Sequence, residues 1–299
     1  MSETGMLTTG TTDNIVGTAN NDTVNAVDSS MSAEGTLQAT DKIDGGAGTD
    51  TLNLSAKKDW TGFTSGSMTN VETVNLTNDS STALAFNTTG ITGVSKYVID
   101  AKNGVVSLSQ MASLADLDVT GPTGIAADVA FTAAYSATST VATGTQTDSQ
   151  KLKVTDVGTI NTAAAGAASN AKYIDLTIAK VEELDITTAG TANSLNLTGV
   201  SDATSIKIAG AGTTEIETVG TKTTSFDASG ATGKVVATLT AAADAALATV
   251  KTGAGDDTIN VFAGDMAVKA VVAGGAHKVT MNLYKAPIYE CFSHFKNPC

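Results

Sequence analysis

The chain has 299 residues, of which 41% are hydrophobic and only 4% are aromatic; this excludes a disordered polypeptide and favours a thin core of stacked aliphatic side chains. The formal net charge is −13 and there is no Arg, which argues against a nucleic-acid partner because phosphate contacts need clustered cations. No apolar run approaches the roughly 20 residues of a membrane span, and the two cysteines, Cys291 and Cys299, are too few for a disulfide framework.

The N-terminal block, residues 1–55, carries aspartates at regular intervals. Asp13 and Asp22 are nine residues apart, as are Asp41 and Asp50, and an aliphatic residue follows two positions after each of them. This spacing is typical of a parallel β-roll. We expect each nonapeptide to form a half-turn, with metal ions bound between turns along one edge.

The clearest motif in this block is GGAGTDTLN at 45–53, which matches the calcium-binding nonapeptide G-G-x-G-x-D-x-U-x, where U is apolar. Gly46 and Gly48 permit a tight turn whose carbonyls point inward, Asp50 supplies a carboxylate, and Leu52 enters the core. Calcium takes six to eight oxygen ligands, which such a turn can provide. The phrase returns as TGAGDDTIN at 252–260.

Residues 56–250 form a region of repeated strands. Seven segments alternate apolar with polar residues and are separated by turn residues: TVNLTN (73–78), KYVIDAK (96–102), DLDVTG (116–121), YIDLTIA (173–179), ELDITT (183–188), SLNLTG (194–199) and SIKIAG (205–210). A second phrase recurs as NVETVNL, KVEELDI and TEIETVG. Only SQMASLADL (109–117) and AAADAALATV (241–250) have helical composition. The pattern therefore predicts an all-β fold.

The C-terminal part divides in two. Residues 251–276 hold the second nonapeptide, and residues 277–299 differ in composition from everything before them. This final segment contains both histidines, both cysteines and two of the three prolines. We expect it to be a disordered tail outside the fold.

The phrases LTTGTTDNIVGTANNDTVNA, TLQATDKIDGGAGTDTLNL and VKTGAGDDTINV resemble the repeat-toxin, or hemolysin-type, calcium-binding proteins. More narrowly, residues 7–275 resemble modules of type I-secreted bacterial surface-layer and surface-array proteins. The resemblance implies a parallel β-roll or β-solenoid with short strands and Gly/Asp-rich turns. It also implies bound calcium, an extracellular location and self-association into a lattice on the bacterial cell surface, with lipopolysaccharide as a candidate partner there.

On this pattern the candidate metal ligands lie at the two nonapeptide segments. They are Asp13, Asp22, Asp41, Asp44, Gly46, Gly48 and Asp50 in the first, and Gly253, Gly255, Asp256 and Asp257 in the second.

Two other functions fit parts of the sequence. A calcium-dependent adhesin or carbohydrate-binding module would share the same secretion class. A β-helix enzyme that processes polysaccharides is the third interpretation, but residues 1–276 contain no His, no H-E-x-x-H and no G-x-S-x-G. We therefore expect no enzymatic activity and no catalytic residues.

Overall fold

The computed structural model describes residues 4–10, 12–29, 34–139, 141, 147–163, 168–239, 246–262 and 266–284. Within these ranges the chain is all-β and contains no helix; its parallel strands stack into a β-solenoid of about 11 turns. The predicted fold class is confirmed. Residues 109–117 belong to strands and a turn, so their helical composition is misleading, and residues 241–245 lie outside the described ranges. No helix in these ranges is long and apolar enough to cross a membrane.

The described residues form 23 strands, most of them short. In chain order they are β1 (Thr4–Met6), β2 (Asn14–Val16), β3 (Thr23–Asp28), β4 (Lys42–Asp44), β5 (Thr51–Ala56), β6 (Ser67–Thr69), β7 (Thr73–Asn78), β8 (Leu84–Asn87), β9 (Lys96–Asp100), β10 (Val106–Met111), β11 (Asp116–Thr120), β12 (Val129–Tyr135), β13 (Ser149–Val157), β14 (Ile174–Thr177), β15 (Glu183–Gly199), β16 (Ser205–Gly210), β17 (Thr213–Ile216), β18 (Ser225–Ala231), β19 (Val235–Leu239), β20 (Leu247–Lys251), β21 (Asp257–Phe262), β22 (Met266–Ala273) and β23 (Val279–Tyr284).

These strands form two long parallel stacks and one short stack. The first stack runs through β1, β3, β5, β7, β9, β11, β13, the first half of β15, β16, β18, β20 and β22. The second runs through β8, β10, β12, β14, the second half of β15, β17, β19, β21 and β23. The short stack is β2, β4 and β6. The predicted segments meet at residues 55–56 and 250–251, and the strand pairing continues across both positions.

Strand β15 joins the two long stacks by turning a corner at Gly190, whose φ is +72°. The carboxylate of Asp156 on the preceding turn holds this corner: its Oδ1 accepts the N–H groups of Thr191 at 2.6 Å and Ala192 at 3.3 Å. The hydrogen bond from the Thr191 N–H is the main cause of the lowered pKa of Asp156. ELDITT and SLNLTG, predicted as two strands, are therefore one bent strand.

The core lies between the stacks and consists of in-register rows of inward side chains. One row crosses eight successive turns of the first stack, and all its members are buried: Val24, Leu52, Val74, Tyr97, Leu117, Leu152, Ile186 and Ile208. Because side chains alternate along a strand, the residues between them face outward. Because each row has to fill only the width of an aliphatic side chain, the core needs few aromatic residues.

The N-terminal turns have three sides rather than two. Ile15 pairs with Ile43 and Val24 with Leu52, so equivalent residues of this turn are 28 positions apart. The nine-residue spacing thus separates two adjacent sides of one turn. The expected half-turn geometry is wrong here because the chain continues along a third side, where Trp60 bridges Phe86 of the next turn.

The boundary placed at residue 277 also needs correction. Strand β23, within the supposed tail, pairs in register with β21 along its whole length, from Asp257↔Val279 to Phe262↔Tyr284. Alternation of apolar and polar residues in VTMNLY allows this pairing, although the residues before it are unlike the repeats. Residues 285–299 lie outside the described residues.

An amide ladder runs up the outer face of the first stack. Asn53 donates from Nδ2 to Oδ1 of Asn25 at 2.9 Å and accepts from Nδ2 of Asn75 at 2.8 Å. Such ladders fix register, since a slip would break every bond in the row at once.

We predict that Asn53→Ala lowers the free energy of unfolding by about 1–2 kcal/mol, because it removes both ladder bonds. Urea denaturation of the purified chain measures this. Thr77→Ala, at an exposed position of the same face, should cost less than about 0.5 kcal/mol. Equal losses in the two variants would contradict a stabilising role for the ladder.

Candidate metal centre

The predicted N-terminal aspartates lie at corners of the solenoid, in two columns. Asp41 stacks over Asp13, and Asp50 stacks over Asp22. In each pair the Oδ1 of the later residue accepts the backbone N–H of the earlier one, at 2.9 Å for Asp13 and 2.6 Å for Asp22. The stacked partner of each Asp is therefore 28 residues away on the neighbouring turn, whereas the nine-residue spacing separates the two columns.

The second column continues with a glutamate that the nonapeptide pattern did not select. Oε2 of Glu72 accepts the N–H of Asp50 at 2.7 Å, as Asp50 does for Asp22. In the same way, Oε2 of Glu182 accepts the N–H of Asp148 at 2.9 Å. These glutamates belong to the phrases NVETVNL and KVEELDI, so the recurring Glu was the signal for a corner carboxylate.

Asp22 and Asp50 differ in what binds their second oxygen. Oδ2 of Asp22 accepts the N–H of Thr18 at 2.5 Å and its hydroxyl at 2.9 Å. The equivalent residue in the next turn is Gly46, which has no hydroxyl and donates its N–H to Asp44 instead. Oδ2 of Asp50 consequently has no hydrogen-bond partner among the described residues. Asp50 is only 2% exposed, so this oxygen is also shielded from solvent.

Glycines bring backbone carbonyls close to these carboxylates. A Cβ added to Gly45 would lie 1.8 Å from the carbonyl oxygen of Asn70 and 2.7 Å from Oδ2 of Asp50. A Cβ added to Gly17 would lie 2.0 Å from the carbonyl oxygen of Gly45 and 2.9 Å from Oδ2 of Asp22. Carbonyl and carboxylate oxygens therefore converge beside each bare α-carbon, and no other residue fits there.

The tight turn expected of the motif is present. Gly46 and Gly48 have φ values of +88° and +135°, and a Cβ on Gly46 would lie 2.2 Å from the carbonyl oxygen of Thr18. Both glycines are required by backbone conformation and by the close approach of the neighbouring turn.

A cavity of about 240 Å³ opens beside this corner and is lined by Asp22, Asp44 and Asp50. Asp44 accepts hydrogen bonds from Nδ2 of Asn70 at 2.8 Å and from the N–H of Gly46 at 3.1 Å. These two donors, with Asn70 the larger influence, lower the pKa of Asp44.

The first column offers less to a cation. Oδ1 and Oδ2 of Asp41 both accept backbone N–H groups, from Asp13 and from Gln38 at 2.7 Å. Burial raises the pKa of Asp41, and these two amide groups oppose that shift. Asp13 in turn accepts the N–H of Thr8 at 2.7 Å.

The second nonapeptide contributes a single buried carboxylate. Asp257 accepts the N–H of Val235 at 2.8 Å through Oδ1 and that of Gly253 at 3.2 Å through Oδ2. The residues stacked on Asp257 are Val235 and Val279, so no second acid faces it across the turns.

The other predicted residues of this motif have separate positions. Asp256 is exposed, with Oδ1 3.9 Å from Nδ1 of His277. Gly253 and Gly255 contact the preceding turn: an added Cβ would lie 2.0 Å from the carbonyl oxygen of Ala231 and 2.5 Å from that of Gly233, respectively.

No three His, Cys, Asp or Glu side chains cluster as a metal site within the described residues. A cation at the Asp22–Asp50 corner would therefore take several ligands from backbone carbonyls. Calcium accepts such a set, because it binds carbonyl and carboxylate oxygens alike in flexible geometry. The oxygen ligands available at this corner fit calcium. Among them, Oδ2 of Asp50 is a buried carboxylate oxygen that accepts no hydrogen bond.

Comparison with protein-family models finds no match to this chain. Comparison with curated proteins likewise finds no relative.

One buried acid near this region was not anticipated from sequence. Asp28, at the end of β3, is 0% exposed, and its Oδ1 lies 3.2 Å from Nζ of Lys58. Desolvation outweighs this ion pair and raises the pKa of Asp28 from 3.8 to about 6.

We predict that Asp28→Asn stabilises the protein at neutral pH. The folded-state pKa lies above the unfolded value, so the stability from protonated Asp28 is fully present below pH 3.8 and is lost as the pH rises through about 6. The variant should exceed the native chain by on the order of 1–2 kcal/mol at pH 8 and by little at pH 4. Denaturant melts across this range test it, with Asp100→Asn, at a half-buried position, as control. A variant less stable than the native chain at pH 8 would contradict the assignment.

Proposed function

We propose that this chain is a calcium-stabilised structural subunit of a bacterial surface layer. The observation that carries the calcium part is the buried, unpartnered Oδ2 of Asp50 beside the carboxylate of Asp22. Two stacked carboxylates in a desolvated corner repel each other, and a divalent cation between the turns removes that repulsion.

Calcium bound there acts on stability rather than on chemistry. Its ligands come from consecutive turns, so binding favours only the stacked state and its free energy appears as folding free energy. Extracellular calcium modules bind with dissociation constants of about 0.1–1 mM. Such a subunit stays less ordered where calcium is scarce and becomes fully ordered outside the cell.

The extracellular location, the type I export route and assembly on the cell surface are parts of the same proposal. They rest on the resemblance of residues 7–275 to surface-layer modules and on the solenoid architecture, which offers long regular faces. We further propose that the chain is not an enzyme, because residues 1–276 hold no His and the buried carboxylates described above bind backbone amide groups.

We predict that calcium at about ten to a hundred times its dissociation constant stabilises the native chain by about 1.4–2.7 kcal/mol. Asp50→Asn should remove most of this gain, because it takes the charge from the ligand set while Oδ1 can still accept the N–H of Asp22. Melting temperatures with millimolar calcium and with chelator, followed by circular dichroism, provide the measurement.

Asp257→Asn is the matched control, since Asp257 is equally buried and has no acidic neighbour in its column. It should lower stability in both conditions and leave the calcium-induced shift intact. If Asp50→Asn keeps the full shift, or if calcium has no effect on the native chain, calcium does not bind at this corner.

A further inference from the structure

A row of alternating charges crosses the outer face of the first stack. Strand register aligns seven successive residues, one per turn: Lys96, Asp116, Lys151, Asp185, Lys207, Asp227 and Lys251. We call these residues the charge ladder. Because adjacent strands lie about 4.8 Å apart, the ladder extends for about 29 Å with strictly alternating sign.

Part of the ladder is paired within the molecule. Lys207 lies 3.5 Å from Asp185, and Lys251 lies 2.8 Å from Asp227. Lys96 instead contacts Asp118, beside the ladder. Two neighbouring members, Asp116 and Lys151, are exposed and form no ion pair among the described residues.

The next outward column holds two charged residues in its first half and ends in small residues. From Val98 it continues through Asp118, Lys153, Thr187 and Ala209 to Gly230. A groove of about 580 Å³ borders the ladder from Lys96 to Asp227, and its lining includes Asp118, Lys153, Thr187, Ala209 and Gly230 of this column. The groove therefore runs beside both the charged and the small members of the column.

We propose that this face binds the same face of a second copy of the chain, through a two-fold axis parallel to the strands. With the axis between the turns of Lys151 and Asp185, the two ladders run in opposite directions. Lys96 then faces Asp227 of the other copy, Asp116 faces Lys207, and Lys151 faces Asp185. Two-fold symmetry repeats each contact, giving six pairs of opposite charge.

The same axis avoids charge repulsion in the neighbouring column. It places Lys153 opposite Thr187, Asp118 opposite Ala209, and Val98 opposite Gly230, so that no two charged side chains of this column face each other. A two-fold axis along the solenoid would put each ladder residue opposite itself and join like charges. The charges of both columns thus favour the antiparallel arrangement.

This pairing goes beyond the proposed function, since it supplies one self-contact of an assembly and does not involve calcium. It is tested with the full chain in chelator, by sedimentation velocity at increasing protein concentration. We expect dimers at low salt and monomers at about 1 M salt, where the Debye length falls to about 3 Å.

Charge exchange gives the decisive test. Lys151→Asp and Asp185→Lys each place like charges at the centre of the interface, and each should weaken self-association at least about tenfold. An equimolar mixture of the two variants should dimerise again, because every central contact is then between opposite charges. Native mass spectrometry identifies the heterodimer.

Lys222→Asp and Asp202→Lys are the controls, because they change net charge equally at an ion pair of 2.6 Å outside the ladder. Both should dimerise like the native chain. A monomeric native chain, a mixture that stays monomeric, or equal loss in the controls would overturn the proposal. These outcomes are independent of the calcium-induced melting shift, so either proposal can fail alone.

Discussion

The stacking of parallel turns leaves backbone N–H groups at the corners, where the chain changes direction and no strand carbonyl can reach them. The structure satisfies these groups with carboxylates from the neighbouring turn, as at Asp22 and Asp50. A buried N–H without a partner costs on the order of 1–3 kcal/mol, so these contacts are necessary wherever a corner is buried. Register within the sheets depends on them, because each corner carboxylate reaches only the turn beside it.

The same constraint explains why so many acids are buried in this chain. Asp41 and Asp257 each use both oxygens on backbone N–H groups, which offsets the cost of removing charge from water. Asp50 differs from these two: Gly46 occupies the position equivalent to Thr18, the second donor is lost, and one oxygen accepts no hydrogen bond. The proposed calcium site depends on this missing donor.

Outside the core, in-register stacking turns single residues into columns. The outer face of the first stack begins with Thr23, Thr51 and Thr73 in one row and the asparagine ladder in the next. Farther along, the first row becomes the charge ladder. A globular fold would scatter these residues, whereas a solenoid aligns them at the strand spacing and so creates long periodic surfaces.

The sequence by itself determined the all-β solenoid and singled out the N-terminal aspartates, because alternation and fixed spacing are properties of the chain alone. That Asp41 stacks on Asp13 and Asp50 on Asp22 came from the tertiary structure. It also contained the corner glutamates Glu72 and Glu182, in a phrase whose role was not evident. The 28-residue length of the turn from β3 to β5, the extension of the solenoid through β23 and the bend in β15 were decided by pairing between turns. Only the tertiary structure could show that Asp50 lacks a second donor while Asp257 has one, or that Lys and Asp alternate across seven turns. These facts depend on which residue lies one turn away, and turns of unequal length conceal that relation in the linear sequence.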